Sequence, residues 1–151
     1  MRAWTERQQP PASIPWTPLR KPLRESTVAF VSSAGIALVG DTPFDQEHER
    51  RDPWWGDPSY RLIPRDARTS DLRLYHLHID RSFGEQDINC VLPLDRLADL
   101  EEQGVIGRST DTHYSFMGYL LRPREFLETS VPPMIDRMRA EHVEVVLLAP
   151  V

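Results

Sequence analysis

The chain has 151 residues, 40% of them hydrophobic, with a formal net charge of -5. That is enough for one domain with a real core and too little for two. The acidic balance, with a pI near 5.5, argues against a nucleic-acid binder, which needs a basic face to neutralise phosphates. No stretch reaches the roughly 20 apolar residues that span a bilayer, and Met1 to Pro11 has no apolar signal-peptide centre. The expected location is cytoplasmic, with no membrane partner. A single cysteine, Cys90, fits a reducing compartment and excludes both an internal disulfide and a cysteine-rich zinc site.

Residues 1–26 carry Pro10, Pro11, Pro15, Pro18 and Pro22 among Trp4, Trp16 and several arginines. Proline density of this order forbids a regular helix or central strand, so an extended arm is expected, packed through its tryptophans against the domain or a partner. One domain, 27–151, follows. Thr27 to Ser33 is β-branched and apolar and closes at Ala34-Gly35, which predicts a buried strand ending in a turn. Between residues 40 and 68, repeated proline and glycine among many charges predict a long irregular excursion. Leu72 to Ile79 alternates as a strand should, which would point His76 and His78 to one side.

Pro93, the stripe Leu94, Leu97 and Leu100, and then Gly104 mark a helix with its start and its left-handed end. A second helical region is expected over 123–142, split or kinked by Pro132 and Pro133, with Ser130 capping the later half and Met134 and Met138 packing in the core. The run from Val143 to Val151 reads as a strand covered on both faces. Strand, helix and strand in this order predict an α/β fold. Its mostly parallel sheet, with helices packed on it, would form a flavodoxin-like or Rossmann-like half behind the Pro-rich arm. Ligands in such sheets gather beyond the carboxyl ends of the strands. Those ends are Ser32-Ser33-Ala34-Gly35, His78-Ile79-Asp80 and Ala149-Pro150-Val151.

Several candidates follow from residue chemistry. His76, His78 and Asp80, with His113 more distant, form a possible metal set, although hydrogen-bonded histidines lining a cleft are the plainer reading. Between these two, His78 or His113 would move protons or hold a substrate carboxylate. Ser32, Ser33 and Gly35 allow close approach of backbone amides to a ligand, or form an ordinary turn. Asp41, Pro43 and Asp45 read as turn formers, and Arg122 and Arg124 as a solvated helix start. Cys90, flanked by Ile88, Val91 and Leu92, reads as an inert buried thiol.

Four segments, V-A-F-V-S-S-A-G-I at 28–36, G-D-T-P-F-D at 40–45, D-I-N-C-V-L-P-L-D-R-L at 87–97 and H-Y-S-F-M-G-Y at 113–119, carry a family resemblance. From about Trp16 onward the chain resembles the selenoprotein B family of glycine, sarcosine, betaine and D-proline reductases. The resemblance implies a selenocysteine, or a cysteine in its place, directly after the segment matching V-V-L-L-A-P-V, with a further cysteine a few residues on. A reading frame closed at UGA would then account for an ending at Val151, and the chain alone would lack its nucleophile and be inactive. No cofactor is expected within these residues. A selenolate just beyond Val151 would displace an amine at the α-carbon of a small amino-acid or amine substrate. A carbonyl-bearing partner subunit would activate that amine, and a thiol reductant would reset the site. Ser115 joins His113 as a cleft candidate because both lie in the most family-specific segment. The competing readings are a metal-dependent hydrolase or metal-binding domain on His76, His78, Asp80 and His113, and a non-catalytic interaction domain using the arm.

Overall fold

A computed structural model describes residues 17–151. Most of the predicted arm, including Trp4 and Trp16, therefore lies outside the described residues. Its described end makes a single 3-10 turn, Leu23–Glu25, and Lys21 Nζ pairs with Glu144 at 2.8 Å.

The sheet is built around β1 (Thr27–Ser32). Its residues alternate between two apolar layers, which explains why the whole run T-V-A-F-V-S is hydrophobic or small. Val28 and Phe30 join a core with Leu92, Leu94, Leu97 and Ile106, while Ala29 and Val31 join another with Tyr114, Phe126, Met134 and Met138. β1 pairs in parallel with β5 (Arg108–Ser109) and then β6 (Thr112–Phe116) along one edge, and with β7 (Val145–Ala149) along the other. Beyond β6, β3 (Tyr60–Pro64) pairs antiparallel. The predicted α/β class with a mostly parallel sheet is what the chain adopts. A separate two-stranded antiparallel sheet joins β2 (Ile36–Leu38) to β4 (Leu72–Leu74).

α3 (Leu94–Glu102) starts after Pro93 and buries Leu94 and Leu97, and Gly104 adopts φ +70° as expected of a left-handed stop. The second helical region opens as a π turn, Phe126–Ser130, before α4 (Val131–Ala140). Pro132 and Pro133 lack N–H donors, so the ladder skips to a wider bond, Val131 N–H to Phe126 O. The predicted interruption therefore takes the form of a π bulge. Ser130 stands at the cap position, but its hydroxyl donates to Pro58 O at 2.6 Å rather than capping α4. Met134 and Met138 are core residues as predicted.

Three expectations are corrected. Residues 40–68 are not irregular throughout, because α1 (Gln46–Arg51) and β3 lie within them. The strand predicted over Leu72 to Ile79 ends at Leu74. Beyond it Tyr75 N–H bonds to Gly35 O, and the chain turns so that His78 N–H donates to His76 Nδ1 at 3.1 Å. A turn of this kind imitates an alternating pattern without a strand. β7 is an edge strand in the described residues and is not covered on both faces: Leu148 is 72% exposed, while Val145 and Ala149 touch the core. No helix among the described residues is long and apolar enough to cross a membrane.

Candidate functional site

The carboxyl ends of β1, β6 and β7 meet at one rim of the sheet, where fold geometry places ligands. Ser33 N–H donates to Ala149 O at 3.1 Å, and Ser33 Oγ accepts from Val151 N–H at 2.8 Å. Ser33 thus fastens the residues after β7 to the end of β1. Ala34 bridges to Met117, and Gly35 N–H donates to Phe116 O at 2.9 Å. Gly35 has φ +65°, and a Cβ there would stand 2.9 Å from Met117 Sδ, so this turn needs glycine both for its backbone angle and for space. A Cβ on Gly118 would likewise press on Ser33 O at 2.8 Å. This close packing carries the chain onward to Tyr119.

Tyr119 leads to the most chemically distinctive cluster. Its ring stacks on His78 with centroids 3.9 Å apart, and its hydroxyl donates to Pro53 O at 2.6 Å. His78 Nε2 lies 2.7 Å from Glu49 Oε1. Glu49 is 3% exposed, and its other oxygen, Oε2, has no hydrogen-bond partner among the described residues. α1 reads Q-E-H-E-R-R, and Glu49 is the residue it buries, so this short helix turns a carboxylate inward where an apolar anchor is usual. Asp45 caps α1 by accepting from His48 N–H at 2.9 Å, and Gln46 Nε2 donates to Tyr75 O, holding α1 against the His76–His78 turn. His76 is buried 5.9 Å from His78, with the ring planes at right angles. Burial, and secondarily the neighbouring His78, lowers the His76 pKa and keeps the ring neutral.

Among the residues singled out from sequence, Ser33, Gly35 and His78 lie on or beside this rim. Ser32 and Ser115 are fully buried and used internally: Ser32 Oγ donates to Val91 O at 2.7 Å, and Ser115 Oγ accepts from Ile36 N–H at 2.8 Å. His113 is a core residue. β1 changes partner from β5 to β6 near Phe30, whose N–H donates to His113 Nδ1 at 3.0 Å. His113 Nε2 lies 3.1 Å from Ser109 Oγ, so the imidazole replaces a backbone partner at the changeover. Burial, reinforced by Arg65, lowers its pKa to about 4.

Asp80 is exposed and precedes the N-cap, Arg81, of α2 (Ser82–Gln86), its carboxylate accepting from Ser82 N–H at 3.0 Å. The proposed metal set is therefore not assembled. Its strand ends before His76, its carboxylate is engaged elsewhere, and His113 has both nitrogens occupied. Among the described residues no three His, Cys, Asp or Glu side chains converge on a metal position. Asp41 and Asp45 act as turn and cap acceptors as read from sequence. Arg122 and Arg124 form surface pairs with Asp52 and Glu128. Cys90 is exposed and not buried, because Ile88 fills the core from the 3-10 turn Ile88–Cys90 while the thiol projects outward. Sequence reasoning missed Glu49 and Tyr119. Tyr119 closes the family-like H-Y-S-F-M-G-Y run, whereas nothing distinguished Glu49 from its charged neighbours.

Comparison with known proteins places this rim in context. The chain is 33% identical over 133 residues to the D-proline reductase subunit gamma of Acetoanaerobium sticklandii, spanning 88% of this chain and 52% of that protein. It is 30% identical over 105 residues to the glycine reductase complex component B subunit gamma of Carboxydothermus hydrogenoformans, and 33% identical over 106 residues to the sarcosine reductase complex component B subunit beta of Peptoclostridium acidaminophilum. Each of these two alignments spans 70% of this chain and 23% of the relative. The chain thus spans about half the length of the first relative and less of the others. No solved structure matches it significantly. The glycine/sarcosine/betaine reductase selenoprotein B profile matches residues 7–150, nearly the whole sequence, and the chain belongs to that family.

Proposed function

We propose that this chain forms part of a reductase subunit that cleaves the C–N bond of a small amino-acid or amine substrate of the glycine, sarcosine, betaine or D-proline type. The reactive selenocysteine, or a cysteine in its place, would follow Val151. The observation that supports this reading best is the position of Val151, held by Ser33 at the rim where the carboxyl ends of β1, β6 and β7 meet. A residue placed there would leave the sheet where ligands gather in this class of fold. A chalcogenolate at that position supplies the electron pair that displaces the amine nitrogen, since the anion is the nucleophilic form.

The chain's own residues hold the rim. Ser33 fixes the direction in which the chain leaves β7, Gly35 and Gly118 permit the close approach of β1 and β6, and Tyr119 forms the wall on the His78 side. The relatives are named as subunits of reductases. By the same reasoning a carbonyl-bearing partner subunit would activate the substrate amine, and a dithiol would return the site to its reduced state. The metal-dependent alternative gains no support from the geometry of His76, His78, Asp80 and His113.

Mass spectrometry of the protein isolated from its native cells tests this reading. A peptide containing Val145–Ala149 should continue past Val151 into selenocysteine or cysteine, and the isolated complex, supplied with a dithiol, should release an amine from one of the open-chain substrates or convert D-proline to its ring-opened amino acid. A native peptide ending in a free carboxylate at Val151, or a complex silent towards all four substrates, would defeat the proposal.

A further inference from the structure

Glu49 is the most buried carboxylate among the described residues, and its surroundings differ from those of the other buried one, Asp57. Asp57 is satisfied locally: Oδ1 accepts from Ser59 N–H and Oγ–H, and Oδ2 accepts from Asp45 N–H. Those bonds knit a loop together and explain its burial. Glu49 accepts on Oε1 from His78 alone and leaves Oε2 without a partner among the described residues. A buried, half-satisfied carboxylate is destabilising, and such groups concentrate where chemistry needs them.

His78 is built to exchange protons. Its Nε2 faces the carboxylate; with the ring proton donated there, Nδ1 is left as the exchanging atom. Its side chain is 45% exposed, so the ring is open to solvent beside Tyr119. Stacking on Tyr119 and the bond from its own N–H to His76 Nδ1 fix the plane of the ring and the position of the turn. The groups facing it are Glu49 from α1, His76 from the same turn and Tyr119 from the segment after β6. Asp80, two residues on, is turned towards Ser82 N–H.

We infer that Glu49 and His78 form an acid–base dyad in which Glu49 orients the imidazole, and His78 Nδ1 passes a proton at the carboxyl rim of the sheet. The nature of the reaction rests on the reductase reading above. In that reaction the C–N bond breaks with its electron pair going to nitrogen, and the imidazolium supplies the proton to the departing amine. The nucleophile's pair forms the new bond to carbon. The dithiol then cleaves that carbon–chalcogen bond: it becomes a disulfide, its two electrons and a proton from solvent form the C–H bond of the product, and the chalcogenolate is freed. His78 ends neutral and regains its proton from solvent. Glu49 is a positioning residue, and His78 is the group that meets the substrate.

Two measurements separate this inference from the reductase reading. In the full chain with ¹⁵N-labelled histidine, NMR should find neutral His78 protonated on Nε2, a preference that Glu49→Gln should weaken, since an amide oxygen is a poorer acceptor than a carboxylate. An Nδ1-protonated ring, or a tautomer balance unmoved by the substitution, overturns the dyad whatever the chain's activity. In the assembled reductase, kcat/KM should show a limb that falls as pH rises, as expected when the reacting group is a protonated imidazole, and Glu49→Gln should displace that limb. His78→Asn should remove the limb and lower the rate roughly 10²- to 10⁴-fold, and it tests the same point should Glu49→Gln not fold. An active complex whose limb ignores both substitutions overturns the catalytic role. A His78 tautomer set by Glu49 in a protein without reductase activity sinks the reductase reading and supports the dyad.

Discussion

His113 and His78 have the same side chain in opposite settings, and the difference separates a structural histidine from a chemical one. His113 lies inside the sheet with both ring nitrogens occupied, and burial depresses its pKa to about 4. Its ring finishes a ladder that the step from β5 to β6 leaves incomplete. His78 stands at the rim with one nitrogen on a buried carboxylate and a ring face against Tyr119. A histidine whose valences are all spent on the fold has nothing left for a substrate. One held from a single side keeps an atom free to react.

The sharpest way to test that contrast is to remove the core ring. His113→Ala should cost about 3–5 kcal/mol, combining a cavity with an unpaired Phe30 N–H, measured by urea denaturation. Next comes the response to acid. Unfolded His113 titrates near 6.5 and the folded group near 4, so the unfolded state binds more protons between these values. Stability should therefore be fully present above about pH 6.5 and fall as pH is lowered through that window, by about 3 kcal/mol once below 4. His76, lowered in the same direction, adds to the slope. A flat profile over this interval in equilibrium unfolding would remove the distinction between core and rim.

At the rim, Gly56→Ala would place a Cβ 1.7 Å from Tyr119 O. The expected loss is about 2 kcal/mol, from overpacking against backbone. Displacement of Tyr119 should also appear as a changed ring-current shift at His78. The smallest effect belongs to Ser33→Ala, which removes the hydroxyl that accepts from Val151 N–H. About 1 kcal/mol is expected, with faster amide exchange confined to Val151 and its neighbours. Exchange spreading into β1 would show that Ser33 supports the sheet as well as its rim.

The buried frame was legible in the sequence because its physics is periodic. β1 is hydrophobic without alternation since both of its faces are covered, and α3 announces itself by Pro93, its leucine stripe and Gly104. Pro132 and Pro133 foretold an interruption, though not that a π turn would absorb it. β3 escaped detection because its short Y-R-L-I-P run sits between prolines with Ile63 as its one fully buried residue. β7 is as apolar as a covered strand, yet Leu148 is exposed, and hydrophobicity alone does not say what lies opposite. The site was harder to read. His78 was named for a strand that ends four residues earlier, and Glu49 was hidden among charges because its burial depends on a turn some thirty residues away.

The central position of β1 also constrains the order in which the molecule is built. Every strand that pairs with Thr27–Ser32 lies at or after Arg108, and the pairing with β7 waits for Val145. During synthesis the most apolar early segment must stay unpaired while most of the chain is made, and closure of the sheet requires loops of high entropic cost. The central strand is thus the first core element synthesised and the last completed. This dependence on distant partners makes the nascent chain most open to misassociation just before β7 arrives.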